Sequence, residues 1–333
     1  MRQTAPARKR VLLIGGSLNQ TTMMHKIGER LAATCDCAYS PFYCDQPLRS
    51  LQKAGLLDFT IFGGPMRRMT EEYLRSHTLP VDEGGVAADY DLVVTCSDLV
   101  LPKNVRNQPL VLVQEGMTDP ETFAYHLVRK ANLPLWVAST STTGLSLKYD
   151  KFCVASEGYR EFFAAKGVPR AWIEVTGIPN FDDCASYLEN EFPYRGHVLV
   201  ATSDTRETFK RDDRRALVDR ALTIANGRRL VFKLHPNENH ERSTREIRAW
   251  APDALVFTSG NVNHMIANCE VLITQFSSCV FVGLALGKEC HSNFDIGELK
   301  KLVPLQNGRT SAANIAAVCE GLLAAPAARR LSA

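Results

Sequence analysis

Two apolar runs in the second half of the chain each end in a small set of polar side chains. The first, LVFKLHPNENH from Leu230, delivers His235 and Pro236. The second, EVLITQFSSCVFVGLALG from Glu270, delivers Ser277 and Ser278 and passes at once into a helical pattern. In an open α/β sheet, ligands bind outside the carboxyl ends of the strands. A helix opening on two hydroxyls also presents backbone N–H groups without intrahelical partners, which suit a phosphate. An imidazole N–H, two hydroxyls and such N–H groups would stabilise the negative charge that builds on a leaving phosphate. The plainer reading of His235 is a histidine that caps a strand end. Pro236 and the polar run 237–240 favour the site.

Other polar groups stand at strand ends. Glu115 closes PLVLVQ and precedes Gly116, so its carboxylate is expected to face a cleft. The competing reading is charge at a helix N-terminus, since Thr118-Asp119-Pro120 opens the next helix. Asp119 and Asp98 are weaker candidates. Gly15, Gly16 and Ser17 follow the first strand, and Ser17 is also a helix cap by type. Thr202, Ser203 and Asp204 follow another strand. The loop 139–146, STSTTGLS, is expected either to bind a second substrate or to act as a lid.

Strand and helix patterns alternate around these positions. Runs at 11–14, 92–96, 110–114, 152–155 and 173–176 read as strands, with helices after 17, at 120–131 and at 157–166. Residues 45–90 carry helical patterns interrupted by Gly63-Gly64-Pro65 and Gly84-Gly85. The second half repeats the plan, with strands at 198–201, 230–234, 255–257 and 271–274 and helices at 214–225, 242–250, 280–286 and 312–324. Such alternation predicts parallel sheets covered by helices on both faces. The expected architecture is α/β, with two Rossmann-like domains facing across a cleft. Their limits are 11–181 and 197–324, joined by an acidic, weakly periodic linker at 182–196 and preceded by a disordered basic tail, 1–10.

Composition excludes several classes. The 333 residues suffice for two cores, and 45% hydrophobic with 23% charged residues is ordinary for a globular protein. A net charge of +3 is too small to argue for a nucleic-acid partner. Basic clusters at 8–10, 67–68 and 211–215 read as solvated charge. No apolar run reaches membrane-spanning length, and the first ten residues lack an apolar signal core. The ten cysteines are scattered without a CxxC pair, which fits a reducing cytoplasmic setting with thiols used as small core residues. Cys35, Cys37 and Cys44 lack the usual zinc spacing, so no metal site is expected.

The order of motifs resembles the GT-B glycosyltransferase superfamily, which also holds the hydrolysing UDP-N-acetylglucosamine 2-epimerases. The resemblance spans most of 11–324 and rests on YDKFCVASEGYREFFAAKGVPRAWIEVTGIPNFDD, on VFKLHP and on CEVLITQFSSCVFVGLALGKE. His-Pro followed about forty residues later by Ser-Ser is similar to the HP and Ser-Ser elements of bacterial CMP-sialic acid and Kdo transferases and of CDP-glycerol transferases. That likeness implies that His235, Ser277 and Ser278 hold the donor phosphates. It also implies donor contacts at Gly16, Ser17, Thr202, Ser203 and Pro236. The sialyltransferase-like groups carry an acidic-acidic-Gly motif whose acid deprotonates the acceptor hydroxyl. Here the motif is Gln114-Glu115-Gly116, so Glu115 is the implied base.

The resemblance therefore implies an inverting, metal-independent transferase without cofactor. Its partners would be a nucleotide-sugar donor, CMP- or CDP-linked, and a glycan or lipid-linked acceptor, with peripheral membrane contact in the lipid case. Two neighbouring activities compete. The 2-epimerases carry His-Arg-Arg-Glu-Asn where this chain has TSDTRET from Thr202, and Ser-Gly-Gly where it has Ser277-Ser278-Cys279. The CDP-glycerol enzymes carry a further histidine near the position of Glu115, where this chain offers only His126, on a predicted helix. A binding protein that has lost catalysis would hold CMP or UDP without turnover.

Overall fold

Four-residue runs such as LVVT, LVLV and LVFK are buried at every position. A strand buried on both faces belongs inside a helix-covered parallel sheet, and both sheets of this protein are of that kind. The computed structural model describes residues 8–58, 60–207 and 212–325. The first seven residues of the expected tail, Thr208, Arg211 and the small-residue tail after 325 lie outside the described residues.

The chain divides into two units, 1–182 with 307–333, and 183–306. Unit 1 runs β1 (Lys9–Gly15), α1 (Leu18–Leu31), β2 (Cys35–Pro41), α2 (Leu48–Lys53), α3 (Gly64–Ser76), β3 (Leu92–Thr95), β4 (Leu110–Val113), α4 (Phe123–Ala131), β5 (Lys151–Val154), α5 (Glu157–Ala165) and β6 (Ile173–Val175). Its parallel sheet has the order β2-β1-β3-β4-β5-β6. The strand order reverses between β1 and β3, so loops after those strands border the place where doubly wound sheets bind ligands.

Unit 2 runs β7 (His197–Ala201), α6 (Arg214–Ala225), β8 (Leu230–Lys233), α7 (His240–Trp250), β9 (Leu255–Phe257), α8 (Val262–Asn268), β10 (Cys269–Thr274), α9 (Cys279–Ala285), β11 (Glu289–His291) and α10 (Ile296–Leu302). The order β11-β10-β7-β8-β9 is parallel throughout, with the reversal between β7 and β10. Val198, Val200, Phe232 and Ile273 pack under Leu217, Val218 and Ile247, with Trp250 against them. Among the described residues no helix is long and apolar enough to cross a membrane.

Three expectations need correction. The last helix, α11 (Ser311–Ala324), belongs to unit 1, although it follows unit 2 in sequence. Its stripe of Ala312, Ile315, Ala316 and Cys319 is buried and packs on α1. Ser311 N–H donates to Asp182 at 3.0 Å, which fixes the start of the helix. The stretch 182–196 is not a free linker. Phe192 packs at 5.6 Å from both His197 and Phe257, and Asn190 accepts from Asn268 at 2.6 Å. Arg8, Lys9 and Arg10 are not tail either. β1 begins at Lys9, Arg8 pairs with Asp36, and Lys9 pairs with Asp91.

The buried His197 has a consequence for stability. Burial pushes its imidazole down to about 4, so it is neutral in the folded chain. The unfolded chain binds this proton near pH 6.5, so stability falls as pH drops below that value and stops falling near 4. Between pH 7.5 and 5 the expected loss is about 2 kcal/mol. Urea titrations followed through Trp250 would show it, and His197→Gln should flatten the dependence.

Candidate functional site

β8 and β10 flank β7 in the sheet, so their carboxyl ends stand roughly 10 Å apart with the end of β7 between them. His235 follows β8, Ser277 and Ser278 follow β10, and Thr202 and Ser203 follow β7. These five expected residues thus share one edge of unit 2. The His235 side chain is 36% exposed. Its Nδ1 accepts from Asn237 N–H at 3.2 Å, which leaves the proton on Nε2 in the neutral ring. Asp204 lies 3.7 Å from Nδ1 and also holds Asn237 Nδ2 at 3.1 Å. Pro236 is exposed beside it. Ser277 Oγ accepts from Cys279 N–H at 3.3 Å. Both serines are part-exposed at the entry to α9, which has only seven residues.

At the reversal point, the buried Ser203 Oγ, Thr274 Oγ1 and Gln275 Oε1 have no hydrogen-bond partner among the described residues. Thr274 is paired with Ala201 across the β7–β10 ladder, which puts all three residues at the adjoining carboxyl ends of those strands. Buried polar atoms are normally satisfied, and orphans mark a place for water or ligand.

Under this edge lies a charge network that sequence reading missed. Glu238 stands in the polar run 237–240, yet its side chain is 0% exposed. It accepts from His235 N–H at 3.1 Å and from the Thr202 hydroxyl, and pairs with Arg214. Arg214 and Arg206 each reach Asp212 at 3.2 Å, and Gln275 donates to Asp212 at 2.6 Å. Asp212 was expected in an exposed basic stretch, but its side chain too is fully buried. The network ties the end of β8 to those of β7 and β10. Lys233 does not reach solvent: its ammonium donates to Leu234 O at 2.7 Å, and burial lowers its pKa.

In unit 1, Glu115 meets the first turn of α1. Its Oε1 accepts from Ser17 at 2.8 Å and Asn19 at 3.3 Å, and its Oε2 from Gln20 at 2.5 Å. Ser17 caps α1 by accepting from Gln20 N–H. Gly16 is buried, with its N–H on Gln20 Oε1 at 2.9 Å and its carbonyl taken by Thr70. A Cβ at Gly16 would stand 2.7 Å from Gln20 Oε1 and 2.8 Å from Ile61, so a side chain there would have to displace both. Gln114 is buried, accepting from Ala155 N–H and donating to Gly116 O. An aspartate or glutamate could accept the first bond but not donate the second, which accounts for the amide at this position.

The weaker candidates are engaged elsewhere. Asp98 is buried and accepts from Gly144 and Ser146 N–H at 3.0 and 3.1 Å. Burial raises its pKa despite those bonds. The loop 139–146 is accordingly pinned, with Tyr149 donating to Gly144 O and Lys166 to Ser141 O. Asp119 exchanges bonds with Thr140. His126 is exposed on α4.

Two doubly wound parallel units of six and five strands constitute a GT-B fold. No protein-family model matches the chain, and no curated protein sequence matches it. Among solved structures it is similar to UDP-GlcNAc 2-epimerase from Neisseria meningitidis bound to UDP-GlcNAc, at 12% identity and a TM-score of 0.55, covering 94% of this chain and 99% of that one. It is similar to UDP-N-acetylglucosamine 2-epimerase from Rickettsia bellii at 10% identity and 0.51, over 95% and 96%. It is also similar to the wall teichoic acid polymerase TagF soaked with CDPG, at 12% identity and 0.51, over 98% and 90%. At these identities the likeness establishes the fold.

Proposed function

We propose that the protein is an inverting, metal-independent glycosyltransferase acting on a nucleotide-activated sugar, CMP- or CDP-linked, to build a cell-surface or lipid-linked glycan. The observation that carries this reading is His235. Its Nδ1 and backbone N–H are held within unit 2, which leaves Nε2–H as the donor at the ligand-binding edge of a parallel sheet. As the bond to the leaving phosphate breaks, charge grows on its oxygens. Nε2–H with the Ser277 and Ser278 hydroxyls would stabilise that charge more than the ground state. The acceptor hydroxyl loses its proton to Glu115. A single displacement needs one base, so the lone acid of Gln114-Glu115-Gly116 is sufficient.

The 2-epimerase reading draws on the fold of the Neisseria and Rickettsia proteins. The absence of histidine from TSDTRET opposes it. The test is nucleotide release from CMP-, CDP- and UDP-linked donors, with products identified. Turnover of a CMP- or CDP-sugar is expected, and His235→Ala should lower kcat about 10²–10³-fold. Full activity in that variant would overturn the role of His235. N-acetylmannosamine from UDP-GlcNAc would establish the epimerase, and glycerol phosphate transfer from CDP-glycerol the third activity.

A further inference from the structure

We infer that α4 and the 3₁₀ segment Leu135–Thr142 form a docking face for an anionic membrane surface. Tyr125, Val128 and Ala138 are buried together, with Leu135 and Leu145 packed on them. That core fixes which side of α4 turns inward. At Asn132, in the left-handed region at φ 50°, the helix stops and the chain turns into the 3₁₀ segment. The open side of α4 carries Phe123 and Leu127 among His126, Arg129 and Lys130. Phe123 is 81% exposed and Trp136 49%, and Leu127, Leu133 and Val137 are exposed with them. A soluble chain rarely leaves a large contiguous apolar patch uncovered unless something binds there.

Charge selects the occupant. From Thr122 to Tyr149 the sequence holds no aspartate or glutamate, while Arg129, Lys130 and Lys148 contribute three positive charges. All three are exposed. Glu121, just before α4, is paired with the buried Lys166 at 3.3 Å. A short helix with large apolar side chains outward and cations beside them matches the chemistry of an anionic lipid headgroup layer. The face adjoins a 630 Å³ cavity lined by Leu48, Leu101, Leu135 and Trp136, with Asp45, Asp98, Arg106 and Lys148 also in its walls. The apolar surface therefore continues inward from Trp136.

This extends the proposed function, whose lipid-linked acceptor would be met at such a surface. The two can fail separately, since vesicle binding is read without donor and nucleotide release without vesicles. The experiment is sedimentation with phosphatidylcholine vesicles, with and without phosphatidylglycerol, alongside Trp136 emission. Three cations predict roughly a hundredfold preference for the anionic vesicles at low salt, weakening as salt is added. The doubly substituted Phe123→Glu, Trp136→Glu chain should lose binding while keeping its melting temperature, because both side chains are exposed. Arg129→Glu with Lys130→Glu should abolish the anionic preference. Equal sedimentation with both vesicle types, or none, overturns the inference. So does a wild-type dimer on gel filtration that Phe123→Glu converts to monomer without any vesicle binding, which would assign the face to a second copy of the chain.

Discussion

Glu115→Gln is expected to lower kcat about 10²–10⁴-fold, the range for loss of a positioned general base, while nucleotide affinity stays close to that of the unaltered chain. The acid limb of the pH–rate profile should vanish with it. The geometry makes this a demanding prediction, because the carboxylate also holds the start of α1. Ser17, Asn19 and Gln20 all donate to it. Glutamine offers one oxygen and one NH₂, so at least one of those donors faces another donor. Leaving such a group unsatisfied costs on the order of 1–3 kcal/mol. Slower turnover alone would therefore be ambiguous.

Controls separate the two roles. Gln20→Ala removes the shortest of the three bonds and should loosen α1 while keeping a carboxylate at 115. If Glu115 is the base, Gln20→Ala retains the acid limb and loses only part of kcat. If Glu115 merely anchors α1, both variants keep the limb and both lower the melting temperature, and the assignment of the base falls. The neighbouring Cys96 thiol supplies no alternative nucleophile. Burial first, and the Glu115 charge second, push it well above its usual range.

The parts of the fold that were legible in sequence were those with local signals. Runs such as LVLV and LVFK are too short for helices and, Lys233 apart, apolar at every position, so they read as buried strands and are such. The expected helix 214–225 coincides with α6, which Asp213 caps and Asn226 closes in the left-handed region. What stayed hidden depends on distance along the chain. Nothing in the spacing of Ala312, Ile315, Ala316 and Cys319 says that their partner is α1, nearly three hundred residues earlier. The burial of Glu238 in the run after Pro236 stayed hidden because a buried glutamate is recognisable only through its cation. Arg214 lies 24 residues before Glu238, on a different element. A charged residue in PNENH and another at a helix start carried no local sign of meeting.

That hidden pair carries the largest stability effect. Glu238→Ala should destabilise unit 2 by about 3–5 kcal/mol, the usual cost of removing one partner from a buried ion pair. Three groups lose this acceptor together: His235 N–H, which keeps Thr202 Oγ1, the Thr202 hydroxyl, which keeps Lys233 O, and the Arg214 guanidinium. Asp212 still faces Arg214, which keeps the cation partly compensated and sets the effect within that range. Glu238→Gln keeps the volume, but its NH₂ must meet either Arg214 or the His235 and Thr202 donors, so roughly 1–3 kcal/mol is expected. Two units need not unfold together, so the readout must report on unit 2 alone. Trp250 packs on its core, whereas Trp136 and Trp172 belong to unit 1, so a chain with those two replaced by phenylalanine isolates the signal. Replacing Arg214 and Glu238 together by apolar residues of similar volume should recover most of the loss, since neither charge is then left alone. Turnover in that double variant would show whether the pair matters beyond stability. Its restoration would mean that Glu238 only fills the fold, whereas a persistent loss with normal stability would make its bond to His235 N–H the feature that sets the imidazole in place.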